Sequence, residues 1–376
     1  MTRPTRRSGR GVPHAALLGA VGCVWVVSAT SCAKFADPST VDDLRVLAVR
    51  AEPSEVILNL SPGSDISAVV IPEISLSPLI VDPRGNGRPV LLRVSACAND
   101  PGAMSPPNNG ADPTGFPSGG ARTTVGSALC DGAATEVSLG PDVDFAANPT
   151  LVARLDPAWV ANAFAKDIFL GPDGRVHGGF DLGMPVVFEL TAQAGDETVR
   201  AIKRVTFWAA PVREGQLPNL TPEISAVSAY DRRDPVTAEP IAGARQAMDE
   251  GVPFPVETSD FWIDPAPGVA EPYVTAVLDR LTGQVVPHEV PRETLHYTFF
   301  APAGTFSPFE TSSEPPPGVT VSYRVHIESR YQRPAPGTDT ADVTIWIVVR
   351  DERGGASWVT RTLHLPDTAT LEGAHP

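Results

Sequence analysis

Residues 344–365 read TIWIVVRDERGGASWVTRTLHL. Two runs rich in β-branched and aromatic residues, 343–350 and 357–365, flank Asp351-Glu352-Arg353-Gly354-Gly355. Such runs on either side of a Gly-containing turn predict an antiparallel hairpin. The same pattern recurs upstream. Val186, Phe188, Leu190 and Ala192 alternate with Val187, Glu189, Thr191 and Gln193, and a second run, 198–208, follows Ala194-Gly195-Asp196-Glu197. That alternation is what a half-buried antiparallel sheet requires. Residues 273–280 and 284–290 flank Leu281-Thr282-Gly283 as a further hairpin. In 319–328, Val319, Val321, Tyr323, Val325 and Ile327 share one face, so a one-residue slip would expose the whole apolar set. Shorter strands are expected at 43–49, 66–74, 76–81, 90–97 and 136–139. In 90–97, Val90, Leu92, Val94 and Ala96 face inward, and Leu91, Arg93, Ser95 and Cys97 lie on an outward or edge face.

One helix is expected. Asp156 suits an N-cap and Pro157 the first helical position, and Trp159, Val160, Ala163 and Phe164 recur at helical spacing. The 376 residues include 40 Pro and 32 Gly. Pro interrupts helices and central strands but suits turns and strand edges. The expected fold is therefore all-β: two tandem antiparallel β-sandwich (immunoglobulin-like) domains, one short helix in the first, preceded by a cleaved signal peptide. The expected order is signal 1–31, tether 32–40, first sandwich 41–208, linker 209–222, second sandwich 223–365 and tail 366–376. Three Pro stiffen the linker, AAPVREGQLPNLTP.

Residues 98–126 are dominated by Pro, Gly, Asn and Ser, which marks a long loop with little to bury. It is either a binding loop on a rigid sandwich or a tolerated insertion, and its composition favours the second. Cys97 and Cys130 bracket it. An even pair in an exported chain reads as a disulfide, which would contribute about 3–4 kcal/mol in the chain-entropy model. Two free thiols are the alternative.

The N-terminus carries the address. Arg3, Arg6, Arg7 and Arg10 precede the apolar run AALLGAVGCVWVV at 15–27, and Ser28-Ala29-Thr30-Ser31 leads to Cys32. A basic segment, an apolar core too short to span a bilayer and a small-residue cleavage zone make a secretory signal. Ala29-Thr30-Ser31-Cys32 resembles the lipobox of bacterial lipoproteins, with Ala29 where that family usually has Leu. The resemblance implies cleavage before Cys32 and acylation (palmitate among the chains) of that residue. Cys23 offers a looser match and an ordinary cleaved signal is the bland alternative. Ala33, rather than Asp, follows Cys32, and the resemblance then implies the outer membrane. The lipobox, the opening DDLRVLAVRAEPSEV and the closing hairpin together resemble uncharacterised lipoproteins of GC-rich, myxobacteria-like species built from immunoglobulin-like or fibronectin type III-like modules. That resemblance implies fold and anchoring and carries no activity.

The chain's net charge is −15. Removing 1–31 removes four Arg and no acid, leaving −19. This repels nucleic acid and anionic lipid. No Gly-x-Ser-x-Gly elbow, His-Glu-x-x-His, phosphate loop or Cys-x-x-Cys is present. His326 and His364 read as solvent-facing residues at strand positions and His177 as a loop residue. Asp142-Val143-Asp144 is the best metal candidate, since alternating carboxylates can ligate Ca²⁺. No dense Asp/Asn/Gly repeat surrounds Asp142 and Asp144, which favours a solvated turn. Phe261-Trp262 and Phe299-Phe300 could form a binding patch, with core packing as the default.

The expected function is non-catalytic binding or scaffolding at the envelope, without a cofactor. The membrane is a partner through the N-terminal lipid, together with an envelope protein or a glycan. The 98–126 loop and the inter-domain cleft are the expected surfaces. The alternatives are a hydrolase with a site assembled from sandwich loops, and a subunit of an envelope export or motility complex. Asp, Glu or His converging in one cleft would favour the hydrolase; scattered carboxylates would favour binding.

Overall fold

The computed structural model describes residues 37–60, 65–98, 137–138, 143–146, 149–166, 168–170, 176–178, 182–233, 240–241, 244–256, 258, 260–279, 282, 284–314, 327–334 and 342–365. In chain order the first part contains β1 (Arg45–Glu52), β2 (Glu55–Ile57), β3 (Ile74–Val81), β4 (Leu91–Ala98), β5 (Val137–Ser138), β6 (Val143–Asp144), β7 (Leu151–Ala153), α1 (Pro157–Lys166), β8 (Ile168–Leu170), β9 (Val176–Gly178), β10 (Met184–Ala194) and β11 (Glu197–Trp208). The second contains β12 (Val227–Tyr230), β13 (Gln246–Ala247), β14 (Phe254–Pro255), β15 (Asp260–Pro265), β16 (Tyr273–Leu278), β17 (Val285–Val290), β18 (His296–Phe300), β19 (Thr305–Ser307), β20 (Glu310–Ser312), β21 (Ser329–Gln332), β22 (Asp342–Arg350) and β23 (Ala356–His364).

Apart from the separate β8–β9 and β16–β17 hairpins, these strands close two sandwiches that share the order of their central strands. In the first, β1-β3-β7 faces β2-β11-β10-β4-β5, with β6 also on β4. In the second, β13-β12-β15-β21-β19 faces β14-β23-β22-β18-β20. Each has a short strand lying parallel to its last strand, β2 on β11 and β14 on β23, beside otherwise antiparallel neighbours. The all-β, immunoglobulin-like expectation holds. The closing hairpin pairs Asp342 with His364 through to Arg350 with Ala356, and the β10–β11 hairpin pairs Met184 with Phe207 through to Ala194 with Glu197.

Alternation explains how the second sandwich serves two interfaces. On β22, Val343, Ile345, Ile347 and Val349 enter its own core. Trp346 and Val348 point the other way, into a separate apolar cluster with Val41, Leu47, Ala48, Val81, Phe300, Leu79 and Trp358. A register shift in β1 between Val46 and Ala48 turns Leu47 and Ala48 towards this cluster, while Val46 and Val49 stay in the first core. Arg350 crosses the same face, and its Nη2 donates to the Leu47 carbonyl at 2.6 Å. The described residues, from 37 to 365, belong to one compact unit. The sandwiches are thus packed together, and the linker runs along their joint.

Several expectations need correction. Residues 66–74 are not one strand: Ile66–Ala68 is a 3₁₀ turn and β3 begins at Ile74. Asp65 Oδ1 accepts the Ser67 N–H (2.9 Å) and hydroxyl (2.6 Å), a local turn that competes with the strand. His177 lies in β9, opposite Phe169, and not in a loop. Residues 37–40 are not a bare tether. Thr40 bridges Ala301, the Val41 N–H donates to the Ala301 carbonyl (2.8 Å), and the Ala301 N–H donates to the Ser39 carbonyl (3.0 Å). Most of the strand expected at 319–328 lies outside the described residues, as does most of the 98–126 loop. Helix α1 forms as expected. Asp156 Oδ1 accepts the N–H groups of Ala158 (2.7 Å) and Trp159 (3.3 Å), and Val160, Ala163 and Phe164 are fully buried.

Candidate functional site

The site is built on the turn between β22 and β23. Asp351 Oδ1 accepts the N–H groups of Arg353 (2.9 Å) and Gly355 (2.6 Å), and the Asp351 N–H donates to the Gly355 carbonyl (3.1 Å). Gly354 has φ +95°, in the left-handed region that favours glycine. A Cβ on Gly355 would collide with the Asp351 carboxylate and stand 2.7 Å from Pro222 Cδ. The sequence Asp-Glu-Arg-Gly-Gly therefore makes a turn tight enough to enter the joint. There Lys203 Nζ donates to the Gly354 carbonyl, and Asn219 Nδ2 donates to Asp351 Oδ2 at 3.0 Å.

Arg353 is the hub. Its guanidinium faces Glu55 of the first sandwich at 3.4 Å, and Glu271 and Glu293 of the second at 3.1 and 3.5 Å. It also lies 4.9 Å from the centroid of the Tyr273 ring. The acids are held from behind. Glu55 accepts the Trp208 indole N–H (2.6 Å) and the Asn219 N–H (3.0 Å), and Glu293 Oε1 accepts the Glu271 N–H (3.0 Å). Arg353 Nε and Glu293 Oε2 form an ion pair too long for a hydrogen bond, and Asn219 Oδ1 is buried without a partner among the described residues. Burial disfavours charge. It pushes Glu293 up to about 7 and Glu55 and Asp351 upward, and it pushes Lys203 down to about 8.

Beside this hub opens a cleft of about 1160 Å³, walled by residues 52–54, the linker and the loop that leads into β16. Leu217, Leu220 and Val269 protrude into it, 76%, 65% and 81% exposed. The linker is fastened to the β16–β17 hairpin by Arg213 on Glu289 (2.9 Å) and by Gln216 Nε2 on the Val274 carbonyl (3.3 Å).

The residues singled out from sequence do not gather here. Cys32, Cys130, Asp142 and His326 lie outside the described residues. Cys97 was expected on an outward or edge face. It does lie opposite the core face of β4, yet it is only 3% exposed, because Val187 and Ile202 cover it. Asp144 Oδ1 accepts the Ala146 N–H at 2.9 Å, an Asx turn, and the described residues contain no His/Cys/Asp/Glu group arranged to hold a metal. His364 Nδ1 is 2.7 Å from Asp342 Oδ1 at the surface. Phe261 and Phe299 are core residues, Phe300 is in the joint, and Trp262 stacks on Tyr230 at 5.7 Å.

Sequence reading passed over the hub. Its one local signal was Lys203, which shares strand parity with Ala201, Val205 and Phe207, all buried. A charge at such a position requires a partner.

No protein-family model matches the chain, and no curated protein matches it. Among solved structures, the C-terminal domain of the Streptococcus pyogenes antigen I/II-family protein AspA is 10% identical, covering 85% of this chain and all of that one, with a TM-score of 0.18. The protocadherin GammaB4 extracellular domain is 14% identical, covering 86% of this chain and 51% of that one, with a TM-score of 0.15. The chain thus spans about half of the protocadherin's length. Likenesses this loose leave the fold resting on the strand pairing itself.

Proposed function

We propose that the chain is an outer-membrane lipoprotein, anchored through Cys32, with a non-catalytic binding role, and that its cleft takes a segment of an envelope protein. The carrying observation is the cleft wall. Leu217, Leu220 and Val269 stand exposed in one concavity, the arrangement that marks interaction sites rather than ordinary surface. A protein fits better than a glycan. Tyr273 is the single aromatic residue on the wall, Arg353 occupies one face of its ring at 4.9 Å from the centroid, and its hydroxyl donates to Glu352 (3.3 Å), so the wall presents a sugar with at most one stacking face. A Cys97–Cys130 disulfide belongs to the same reading, because export delivers the chain to an oxidising compartment.

The convergence of carboxylates favours a second reading, the hydrolase. Glu293, at about 7, has the value a general acid needs. However, Glu293, Glu55 and Asp351 are 1%, 3% and 7% exposed and stand off the cleft wall, which presents Glu271 and Arg353 of this cluster. A substrate in the cleft would meet an acid already paired with an arginine, so binding is preferred.

The test is site-specific photo-crosslinking of the full chain in the producing bacterium, from position 220 in the cleft and from position 152 on another exposed face. A protein adduct from 220 and none from 152 is expected. Equal yields from both, or none from either, overturn the cleft as the binding surface. Lipid labelling of a Cys32→Ala variant checks the anchor, and label retained by that variant overturns it.

A further inference from the structure

We infer that the segment held by the cleft carries Lys or Arg beside its apolar residues. This deepens the binding reading above and rests on it. The charged residues of the wall are Glu52, Glu214, Glu223, Glu271, Arg213 and Arg353. Both cations are already engaged, Arg213 by Glu289 and Arg353 by three glutamates. Glu52 has only a 3.6 Å contact with Arg50, and the exposed Glu214 and Glu223 pair with no described cation. The unspent charge of the cleft is therefore negative, and an acidic segment would meet repulsion without a free cation to answer it.

The two kinds of contact divide the work. An exposed ion pair contributes about 0–1 kcal/mol, so the glutamates select and steer the partner rather than hold it. Adhesion comes from covering Leu217, Leu220 and Val269, at roughly 25 cal/mol per Å² of apolar surface removed from water. Pro218, Pro222, Pro267 and Pro272 stiffen both walls, so little order has to be imposed when the segment enters. A partner with apolar residues but no cation would gain adhesion without selection, and a purely cationic one would gain only the weak surface pairs.

The test uses the detergent-purified protein and two labelled peptides, one alternating Leu with Lys and one alternating Leu with Glu, read by fluorescence anisotropy. The Lys peptide should bind, more weakly at high salt, and the Glu peptide should not. Leu220→Ser should weaken binding, and a Glu214→Lys, Glu223→Lys double variant should weaken it by about tenfold or more. Val152→Ser should leave it unchanged. Equal binding of the two peptides, binding unaffected by the charge reversals, or Lys-peptide binding that survives Leu220→Ser each overturns the inference. A protein adduct from position 220 in cells, with no Lys-peptide binding in solution, overturns the inference and leaves the cleft reading standing. An adduct removed by glycosidase overturns both.

Discussion

Arg353 and Glu55 face each other at 3.4 Å across the joint, their side chains 10% and 4% exposed. Arg353 belongs to the last hairpin of the second sandwich, and Glu55 to the short parallel strand of the first. One guanidinium thus pairs with acids from both sandwiches where water has little access. A buried ion pair is weak evidence for net stability, because desolvation offsets attraction, yet removing one partner strands the others.

Arg353→Ala should therefore destabilise the protein by about 3–5 kcal/mol, since Glu55, Glu271 and Glu293 lose their shared cation. Arg353→Lys should restore only part of this, because an ammonium cannot reproduce the planar fork. Urea unfolding gives the values, and a loss under about 1 kcal/mol for Arg353→Ala would show that the hub contributes little.

Gly355→Ala probes the turn without changing charge. The added methyl meets the Asp351 carboxylate and Pro222, which the surrounding joint holds in place. A cost of about 1–3 kcal/mol is expected, with faster proteolytic cleavage in the linker as the turn backs out of the joint. A variant with wild-type stability and cleavage rate would mean that the turn is free to move.

The strands were legible where one face is apolar and the other polar. The β10–β11 and β22–β23 hairpins declare themselves because every second residue enters a core, and α1 does so through Asp156 and Pro157. The joint was illegible for two reasons. Trp346 and Val348 occupy the face of β22 that a single sandwich would leave to solvent, and nothing local says that a second sandwich covers it. The hub draws Glu55, Glu271, Glu293 and Arg353 from positions almost 300 residues apart, and in sequence Arg353 reads as the tip of a solvated hairpin. The protruding Leu217 and Leu220 were hidden in a stretch whose prolines mark a linker.

The chain enters the fold by a latch on the second sandwich, and Ser39 is its centre. Ser39 is fully buried, and its hydroxyl accepts the Phe306 N–H at 3.0 Å. Asp37 Oδ1 accepts the Ser39 N–H (2.8 Å), and Thr40 Oγ1 donates to the Gly304 carbonyl (3.1 Å). Ser39→Ala leaves the Phe306 N–H buried and unpaired, at a cost of about 1–3 kcal/mol. Hydrogen exchange should quicken at Phe306 and Ala301 before the rest of the second sandwich. Unchanged protection at both amides would mean that the latch does not brace this end of the second sandwich.

The joint also sets an unusual pH profile. Glu293 titrates near 7 in the fold against 4.5 ordinarily, so between those values the folded state holds the extra proton and stability falls as pH rises. The groups around it are Arg353, Asp351 and Glu271, the last also through its N–H. Glu55 and Asp351 are raised by burial as well and add to the fall above their ordinary range. Lys203 behaves conversely. Burial between Asp351 and Arg350 holds it at about 8 against 10.5, so in that window the unfolded chain holds the extra proton and stability rises with pH. Arg350, pushed down to about 10, extends the rise. Each group bends the curve by at most about 1.4 kcal/mol per pH unit. Urea midpoints from about pH 5 to about pH 10 should therefore pass through a minimum between about 7 and 8, where Glu293 has lost its proton and Lys203 has not. Glu293→Gln should flatten the falling limb. Lys203→Met should flatten the lower part of the rising limb and leave the portion due to Arg350. Wild-type stability that climbs steadily from about pH 5 to about pH 7 would mean that Glu293 is already ionised in the fold, and that Arg353 outweighs the burial around it.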